Sequence, residues 1–472
     1  MSENLKFDVA VLGGGPGGYT TAFRAADLGK NVVLVEKEER IGGVCLNVGC
    51  IPSKTLLHAA EIIEEAAEAG SYGLDFEKLK INLDTLRDKK DEVVAKLTGG
   101  LKALAKARKV TILRGTGSFI DKHSIQVSTA DGETIVEFDN AVIAVGSRPV
   151  TLGFLPNDDK RIWDSTDALS LPFIPKHLAV LGGGIIGLEM AQVYAALGSE
   201  ITIIEMLDQI IPPADADLVR PLSSKLKKKY KAVYTSTKLI AVKAEKDALV
   251  ISLEGKKAPE TIEADALLVS VGRLPNGKGI GAEEIGVPVD ERGFISVNET
   301  METAVSGIYA IGDIVGNPML AHKAVYEGKV AAEVISGLKS ANSAMTIPSV
   351  AYTNPEIAWT GYTEKQAKAD GISYELGSFP WGASGRALSA DKAAGKTKAL
   401  FNTESGRIIG AGIVGARAGD LIAEATLAIE MGADAADIGG TIHAHPTFAE
   451  TFAFTAEMVE GTITDAMPPK KK

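Results

Sequence analysis

AVLGGGPGG, residues 10–18, returns as AVLGGGIIG at residues 179–187. The two stretches align without a gap. The match continues, with Leu28-Gly29 falling on Leu197-Gly198 and Glu36 on Glu205. In each copy an apolar strand runs into glycines, a helical stretch follows, and a second strand (VVLV at 32–35, ITII at 201–204) ends on an acid. A lone G-x-G-x-x-G is weak evidence. Strand, glycine turn, helix, strand and acid in that order mark a dinucleotide-binding unit. Gly13 and Gly182 permit the tight turn. Gly15 and Gly184 let the backbone approach a pyrophosphate, and Gly18 and Gly187 let helix lie on strand. The helix N-terminus offers free N–H groups and a partial positive charge to the phosphates. Glu36 and Glu205 are placed to accept from ribose hydroxyls. A glycine-rich turn without a ligand explains one copy more readily than two in register. At the second copy Glu205 would repel a 2′-phosphate, and Met206-Leu207 bring no arginine to neutralise one, so NAD is expected over NADP.

The chain of 472 residues has room for about three domains. The expected class is α/β: two Rossmann-like units and a C-terminal α+β domain. A weaker repetition, AVIAVGSRP at 141–149 and LLVSVGRLP at 267–275, reads as a buried strand entering a turn in each half. From about residue 346 polar loops alternate with short strands (398–401, 408–414) and an alanine-rich helix (420–431). Residues 84–107 read as an amphipathic helix with Val94, Leu97, Leu101 and Leu104 on one side, a packing element only. Apolar content of 45% and charged content of 24% are those of an ordinary globular chain. The formal charge of −11 argues against nucleic acid as partner. The longest uncharged apolar run, 178–188, is far short of the ~20 residues that span a bilayer. With no basic, cleavable leader visible, neither membrane insertion nor export is expected. Lys470-Lys471-Lys472 reads as a solvated tail.

Cysteine occurs twice, at Cys45 and Cys50, inside IGGVCLNVGCIPSK (41–54). So sparse a usage fits the cytoplasm, where a close pair points to redox or metal chemistry. The C-x4-C spacing departs from zinc sites and no second pair exists, so no metal is expected. Two buried thiols remain the bland alternative. Pro52 suits the first turn of a helix, which would put Cys50 and Lys54 on one face. A cation and a helix N-terminus favour thiolate. HAHPTFAE (443–450) holds two of the six histidines. Pro446 is expected to start a helix, leaving His445 just before it and Glu450 one turn in. A carboxylate held against His445 would fix its tautomer for proton exchange. Taken alone, the segment is better explained by a capping histidine beside an exposed glutamate. A metal pair of His443 and His445 lacks a third ligand, and His443 is read as structural.

Assembled, these motifs (GGVCLNVGCIPSK, GGGIIGLE, VGRLPN, IYAIGDI, MLAHKA, HAHPT with its glutamate) resemble the dihydrolipoamide dehydrogenase family of flavoprotein disulfide oxidoreductases over essentially the whole chain. The resemblance implies FAD in the first unit, at Gly13, Gly15, Gly18, Glu36, Lys54, Gly117, Asp313 and Ala321. It implies NAD in the second, at Gly182, Gly184, Gly187, Glu205, Gly272 and Arg273, with Lys238 touching it through the backbone. It divides the chain into 1–149 (FAD-binding, first part), 150–272 (NAD-binding), 273–345 (FAD-domain continuation and centre) and 346–472 (interface domain). Lys54 would pair with Glu189 near the flavin, Cys50 would face the flavin and Cys45 would exchange with substrate through a redox-active disulfide. His445, oriented by Glu450, would be the acid/base supplied by the other subunit of a homodimer. The implied partners are lipoyl domains and the subunit-binding domain of an acyltransferase (E2) in a 2-oxo acid dehydrogenase complex.

Three positions depart from the family: Val44 for a frequent threonine, Ala449 for serine or histidine, and Ile185 for a tyrosine over the nicotinamide pocket. The alternatives are another FAD-dependent disulfide reductase, such as glutathione reductase, or a flavoprotein transhydrogenase. Glu205 argues against the first and the retained cysteine pair against the second.

Overall fold

The computed structural model describes residues 4–76 and 80–467, so lysines 470–472 lie outside the described residues. The first repeated unit is β1 (Asn4–Leu12), α1 (Pro16–Asp27) and β2 (Val32–Glu36). Three helices follow: α2 (Gly43–Val48), α3 (Cys50–Glu68) and α4 (Leu83–Ala107). Four strands come next: β3 (Thr111–Arg114), β4 (Thr116–Asp121), β5 (Ser124–Thr129) and β6 (Gly132–Ile143). Their order is β3-β2-β1-β6-β5-β4. β1 runs parallel to both β2 and β6, with Val9 opposite Val32 and Ala10 opposite Ala141. A central parallel strand is covered on both faces, so Val9, Ala10 and Val11 are all buried without alternation.

The chain leaves this sheet through β7 (Ser147–Pro149) and builds the second unit from β8 (Ile162–Trp163), α5 (Ser165–Ser170), β9 (His177–Leu181) and α6 (Ile185–Ala196). β10 (Glu200–Ile204), α7 (Ala216–Lys229) and β11 (Ala232–Tyr234) continue it. An antiparallel flap, β12 (Lys238–Ala244), β13 (Leu249–Glu254) and β14 (Thr261–Ala264), precedes β15 (Ala266–Val269). The sheet order is β11-β10-β9-β15-β8. The repeat holds down to single hydrogen bonds. Gly13 N–H donates to Val35 O at 2.8 Å, and Gly182 N–H to Ile204 O at 2.9 Å.

The weaker repetition is also structural, because its two halves pair with each other. β16 (Arg273–Pro275) lies antiparallel to β7, with Leu274 opposite Arg148. β17 (Ile308–Ala310) then returns to the first sheet beside β6, and α8 (Ala321–Ile335) packs on α1. The last unit contains β18 (Ser349–Ala351), β19 (Glu356–Gly361), α9 (Glu364–Ala369), β20 (Tyr374–Pro380) and α10 (Gly385–Ser389). It ends with β21 (Lys396–Asn402), β22 (Ile408–Gly415), α11 (Ala418–Met431), α12 (Ala435–Gly439) and α13 (Glu450–Glu460). Its antiparallel order is β18-β19-β22-β21-β20. The expected class, α/β units followed by α+β, is the one observed. No helix among the described residues is long and apolar enough to cross a membrane.

Two elements differ from the sequence reading. The buried stripe of α4 is Lys90, Val94, Thr98 and Ala105, while Leu97 and Leu104 are 42% and 46% exposed. Those leucines flank the stripe. Small Ala105 and Thr98, whose hydroxyl donates to Val94 O at 2.9 Å, pack inward instead. α13 starts at Glu450, not at Pro446. Thr447 turns the preceding loop by donating its N–H to Glu450 Oε2 at 2.7 Å and its hydroxyl to Ala444 O at 2.8 Å.

Candidate active site

Each glycine turn is built as its chemistry requires. Gly13 and Gly182 both have φ of +106°, and a Cβ on either would stand 2.4 Å from a carbonyl oxygen, of Ala144 or Ser270. A Cβ on Gly18 would strike Gly13 O, and one on Gly187 would strike Gly182 O. At Gly184 a Cβ would meet nothing within 4 Å, and at Gly15 only Gly43 Cα at 3.9 Å. The middle glycines therefore face free space in front of α1 and α6, neither of which has a side-chain cap on its first N–H groups. This is a cradle for a diphosphate at each unit. Glu36 and Glu205 repeat one another. Glu36 accepts from Gly14 N–H at 2.8 Å and Glu38 N–H at 2.9 Å; Glu205 accepts from Gly183 N–H and Leu207 N–H, both at 2.7 Å. Each carboxylate is thereby fixed beside its glycine turn, with lone pairs left for ribose hydroxyls. The donor sets fit FAD and NAD.

Between the two cradles lies the dithiol. Gly43, at φ +58°, would carry its Cβ 2.6 Å from Gly15 Cα, so the cysteine segment packs directly on the first glycine turn. Cys50 opens α3 as its first residue, and Lys54 follows one turn later on the same face. Both cysteines are free thiols. The hydrogen bond from the Cys45 thiol, the charge of Lys54 and the helix N-terminus bring Cys50 down to about 7. The same hydrogen bond, together with burial, pushes Cys45 far up. Cys50 is thus the thiolate of the pair near neutral pH. Lys54 Nζ donates to Glu189 Oε2 at 2.8 Å, the pairing expected from the sequence, and Glu189 is only 3% exposed. Two contributors were not foreseen. Ser53 donates its hydroxyl to Glu189 Oε2 at 2.9 Å, and Tyr352 donates its N–H to Glu189 Oε1 at 3.1 Å. Ser53 lies inside the CIPSK motif, but its acceptor is on α6, 136 residues away, and the motif alone does not give it. Nothing local in the sequence marks Tyr352.

The other residues expected at the cofactors have structural surroundings of their own. Ala321 is the first residue of α8, whose N-terminus has no side-chain cap. Asp313 accepts a short hydrogen bond from Ser147 Oγ. Arg273 was expected at NAD, but its guanidinium donates through Nε to Ser147 Oγ and through Nη2 to Ser147 O, each at 2.7 Å. It thereby ties the β16 side of the ribbon to the Asp313 side. Gly272 holds φ +125°, and Lys238 opens β12 with its side chain exposed. At Gly117 a Cβ would meet Leu12 at 2.6 Å, which gives that glycine a packing reason of its own.

The histidines lie in the last unit. His445 Nδ1 donates to Glu450 Oε1 at 2.8 Å, which leaves Nε2 as the proton acceptor, and its side chain is 79% exposed. His443 is engaged at both nitrogens, with Thr441 O at 2.8 Å and Glu424 Oε1 at 2.6 Å, so neither is left for a metal. Among the described residues no hydrogen bond or ion pair links the His445–Glu450 dyad to Cys45 or Cys50.

Residues 7–328 match the model of the pyridine nucleotide-disulphide oxidoreductases, and residues 347–456 match that family's dimerisation domain. The chain belongs to this family. It is 54% identical to a dihydrolipoyl dehydrogenase of Vibrio cholerae, over 100% of this chain and 99% of that protein. It is 44% identical to one of Geobacillus stearothermophilus, over 97% of each. Among solved structures it resembles the flavoprotein disulfide reductase RclA from Escherichia coli, at a TM-score of 0.86 and 25% identity over 96% of this chain and 99% of that one. LpdA from Mycobacterium tuberculosis shares the fold, at a TM-score of 0.88 and 24% identity over 96% and 99%. Membership makes the chain a disulfide oxidoreductase and accounts for the two cradles that flank one dithiol.

Proposed function

We propose that the chain catalyses the dihydrolipoyl dehydrogenase reaction, dihydrolipoyl-protein + NAD⁺ giving lipoyl-protein + NADH + H⁺. The observation that carries this reading is the Cys45–Cys50 pair, poised as a thiol and a thiolate at the meeting of two dinucleotide cradles. FAD in the first cradle supplies two-electron transfer between the dithiol and NAD⁺ in the second. The protein's own steps begin with the pair as a disulfide. A substrate thiol gives its proton to His445 Nε2 and attacks Cys45 Sγ. The Cys45–Cys50 bond breaks and its electron pair goes to Cys50, the sulfur that holds negative charge best. The second substrate thiol then displaces Cys45 from the mixed disulfide, its proton passing to the departing Cys45 sulfur as the lipoyl ring closes. Lys54, held by Glu189, keeps its positive charge beside the new thiolate. Glu450 holds the His445 ring so that Nε2 is the nitrogen that takes the proton.

The His445 part of this scheme calls for a second copy of the chain. The dimerisation domain makes the chain a homodimer. Leu427 and Met431 on α11, and Ile442 beside the His443 that bonds Glu424 of that helix, are exposed apolar side chains, Ile442 at 98%, that a partner subunit would cover. We assign one subunit's dyad to the other subunit's dithiol. On this reading the domains are those expected from the sequence, and the setting is the cytoplasm. The carriers are lipoyl domains, with docking to the subunit-binding domain of an acyltransferase.

The test is to assay the purified yellow protein with dihydrolipoamide and NAD⁺ against glutathione and NADP⁺. Activity only with the second set would overturn the proposal. Cys45→Ser should abolish turnover and keep the flavin, and His445→Gln should lose most turnover. Wild-type rates in either remove that residue from its role.

A further inference from the structure

Tyr352 follows β18 in the unit that contributes no cysteine, yet two of its parts are engaged at the dithiol's ion pair. Its N–H donates to Glu189 Oε1, and the Lys54 ammonium stands 4.2 Å from the centre of its ring. Lys54 is therefore bounded on one side by a buried carboxylate and on another by a π face. Along α3 it lies one turn from Cys50. A lysine ammonium is a strongly hydrated point charge on a flexible stem. The ring attracts it and displaces water from it, so the charge acts through a drier medium on whatever lies next to it. Glu189 alone would draw the ammonium toward itself, and Glu189 opposes charge on Cys50. The ring supplies a second anchor that is not anionic.

We propose that Tyr352 is a positioning residue, whose ring and N–H fix the Lys54 ammonium against Glu189 so that the cation stays beside the Cys50 sulfur. This deepens the reading of Cys45 and Cys50 as the working dithiol and rests on it. It makes the C-terminal unit a contributor to the thiolate's stability through Tyr352 as well as to proton transfer through His445.

The test uses the holoprotein carrying Cys45→Ser, in which Cys50 is the only cysteine. The ultraviolet absorbance of the Cys50 thiolate is followed against pH, with Cys45→Ser/Cys50→Ser as the blank. Neither dihydrolipoyl substrate nor NAD⁺ is present, so failure of the proposed reaction and failure of this inference are read separately. Tyr352→Leu removes the ring and keeps the N–H, and should raise the titration midpoint by about one pH unit, the low end of what an opposite charge contributes. Tyr352→Phe keeps the π face and should leave the midpoint where it was. Melting temperatures are taken alongside. A Leu variant that melts earlier with an unmoved midpoint shows a merely structural residue and overturns the proposal. A Phe variant that shifts as far as Leu assigns the effect to the hydroxyl and overturns it equally. If Tyr352→Leu does not yield holoprotein, Tyr352→Met is read in the same way.

Discussion

Gly184 and Gly187 lie three residues apart, yet the same substitution should act on them differently. Gly184→Ala places its methyl where no protein atom lies within 4 Å, at an ordinary negative φ of −77°. The variant is expected to melt like the parent while its KM for NAD⁺ rises, because the methyl stands where the diphosphate approaches. Gly187→Ala drives its methyl to 2.4 Å from both Gly182 O and Ser270 Oγ. It is expected to lose about 1–3 kcal/mol through overpacking, read as an earlier thermal transition. Equal melting temperatures would refute the distinction. At Glu189 the sign opposes that at Tyr352. Glu189→Gln removes the charge that raises Cys50 and keeps an oxygen for Lys54. In the Cys45→Ser protein the thiolate midpoint is expected to fall, and a rise would show that Glu189 acts mainly by holding Lys54 in place. At this scale the sequence was legible wherever spacing along one helix or turn carries the geometry: the paired glycines, the two acids, Cys50 with Lys54. Ser53 and Tyr352 were not, because their roles exist only once α6 and the C-terminal unit have come against α3.

Elements read well where hydrophobic period decides them and poorly where contact between units does. A strand at 398–401 was visible in the sequence, inside the observed β21, but the burial of Lys398 was not. Lys398 Nζ, on β21, bonds Asp215, Asp217 and Glu364 at 2.8 Å each, and its side chain is 1% exposed. Asp215 also accepts from Glu364 N–H at 2.9 Å at the start of α9. The cluster therefore fastens α7 of the NAD unit to the last sheet. Burial would raise Asp217 and Glu364, but Lys398, joined by Lys396 at Asp217 and by Tyr374 and Lys368 at Glu364, outweighs it and both are lowered. Their contribution is complete above the ordinary carboxylate range and is lost as pH falls through the lowered values. Burial would lower Lys398, and the three carboxylates outweigh that too; its contribution is lost only as pH rises through its raised, alkaline value. Lys398→Met leaves the buried Asp215 without its cation, while Asp217 keeps Lys396 at 3.2 Å and Glu364 keeps Lys368 at 3.3 Å, and is expected to cost about 3–5 kcal/mol at neutral pH. Without Lys398 the carboxylates lose their shared lowering partner and take up protons more readily, so the deficit should shrink as pH is lowered toward 5. Melting temperatures of the two proteins across that range check it, and a deficit independent of pH would count against the cluster as its source. The exposed face of α4 has the same origin. The leucine pattern marks a helix, but which flank packs is settled by the neighbouring α3.

For the whole molecule the open question is which subunit's histidine serves which dithiol. Sequence pattern alone could not answer it, since a shared site leaves no local mark, and the expectation came from resemblance. The structure adds that His445 is exposed and is not bonded to either cysteine of its own chain. Two inactive variants can decide the matter when they are co-expressed with different tags and the mixed dimer is isolated. In a dimer of one Cys45→Ser subunit and one His445→Gln subunit, sharing across subunits leaves one site with both lesions. The other site has an intact dithiol from the His445→Gln chain and an intact histidine from the Cys45→Ser chain. That dimer should recover about half of wild-type turnover per flavin, as a two-fold interface with two equivalent sites requires. If each dithiol used the histidine of its own chain, both sites would carry one lesion and the mixed dimer would be no better than its parents. Charge at Ile442 should separate assembly from cofactor binding. Ile442→Asp is expected to shift the protein toward monomers in analytical ultracentrifugation, with FAD retained because both cradles lie within one chain. Turnover should be lost with the dimer. Monomers that keep full activity would exclude a dyad acting across the interface.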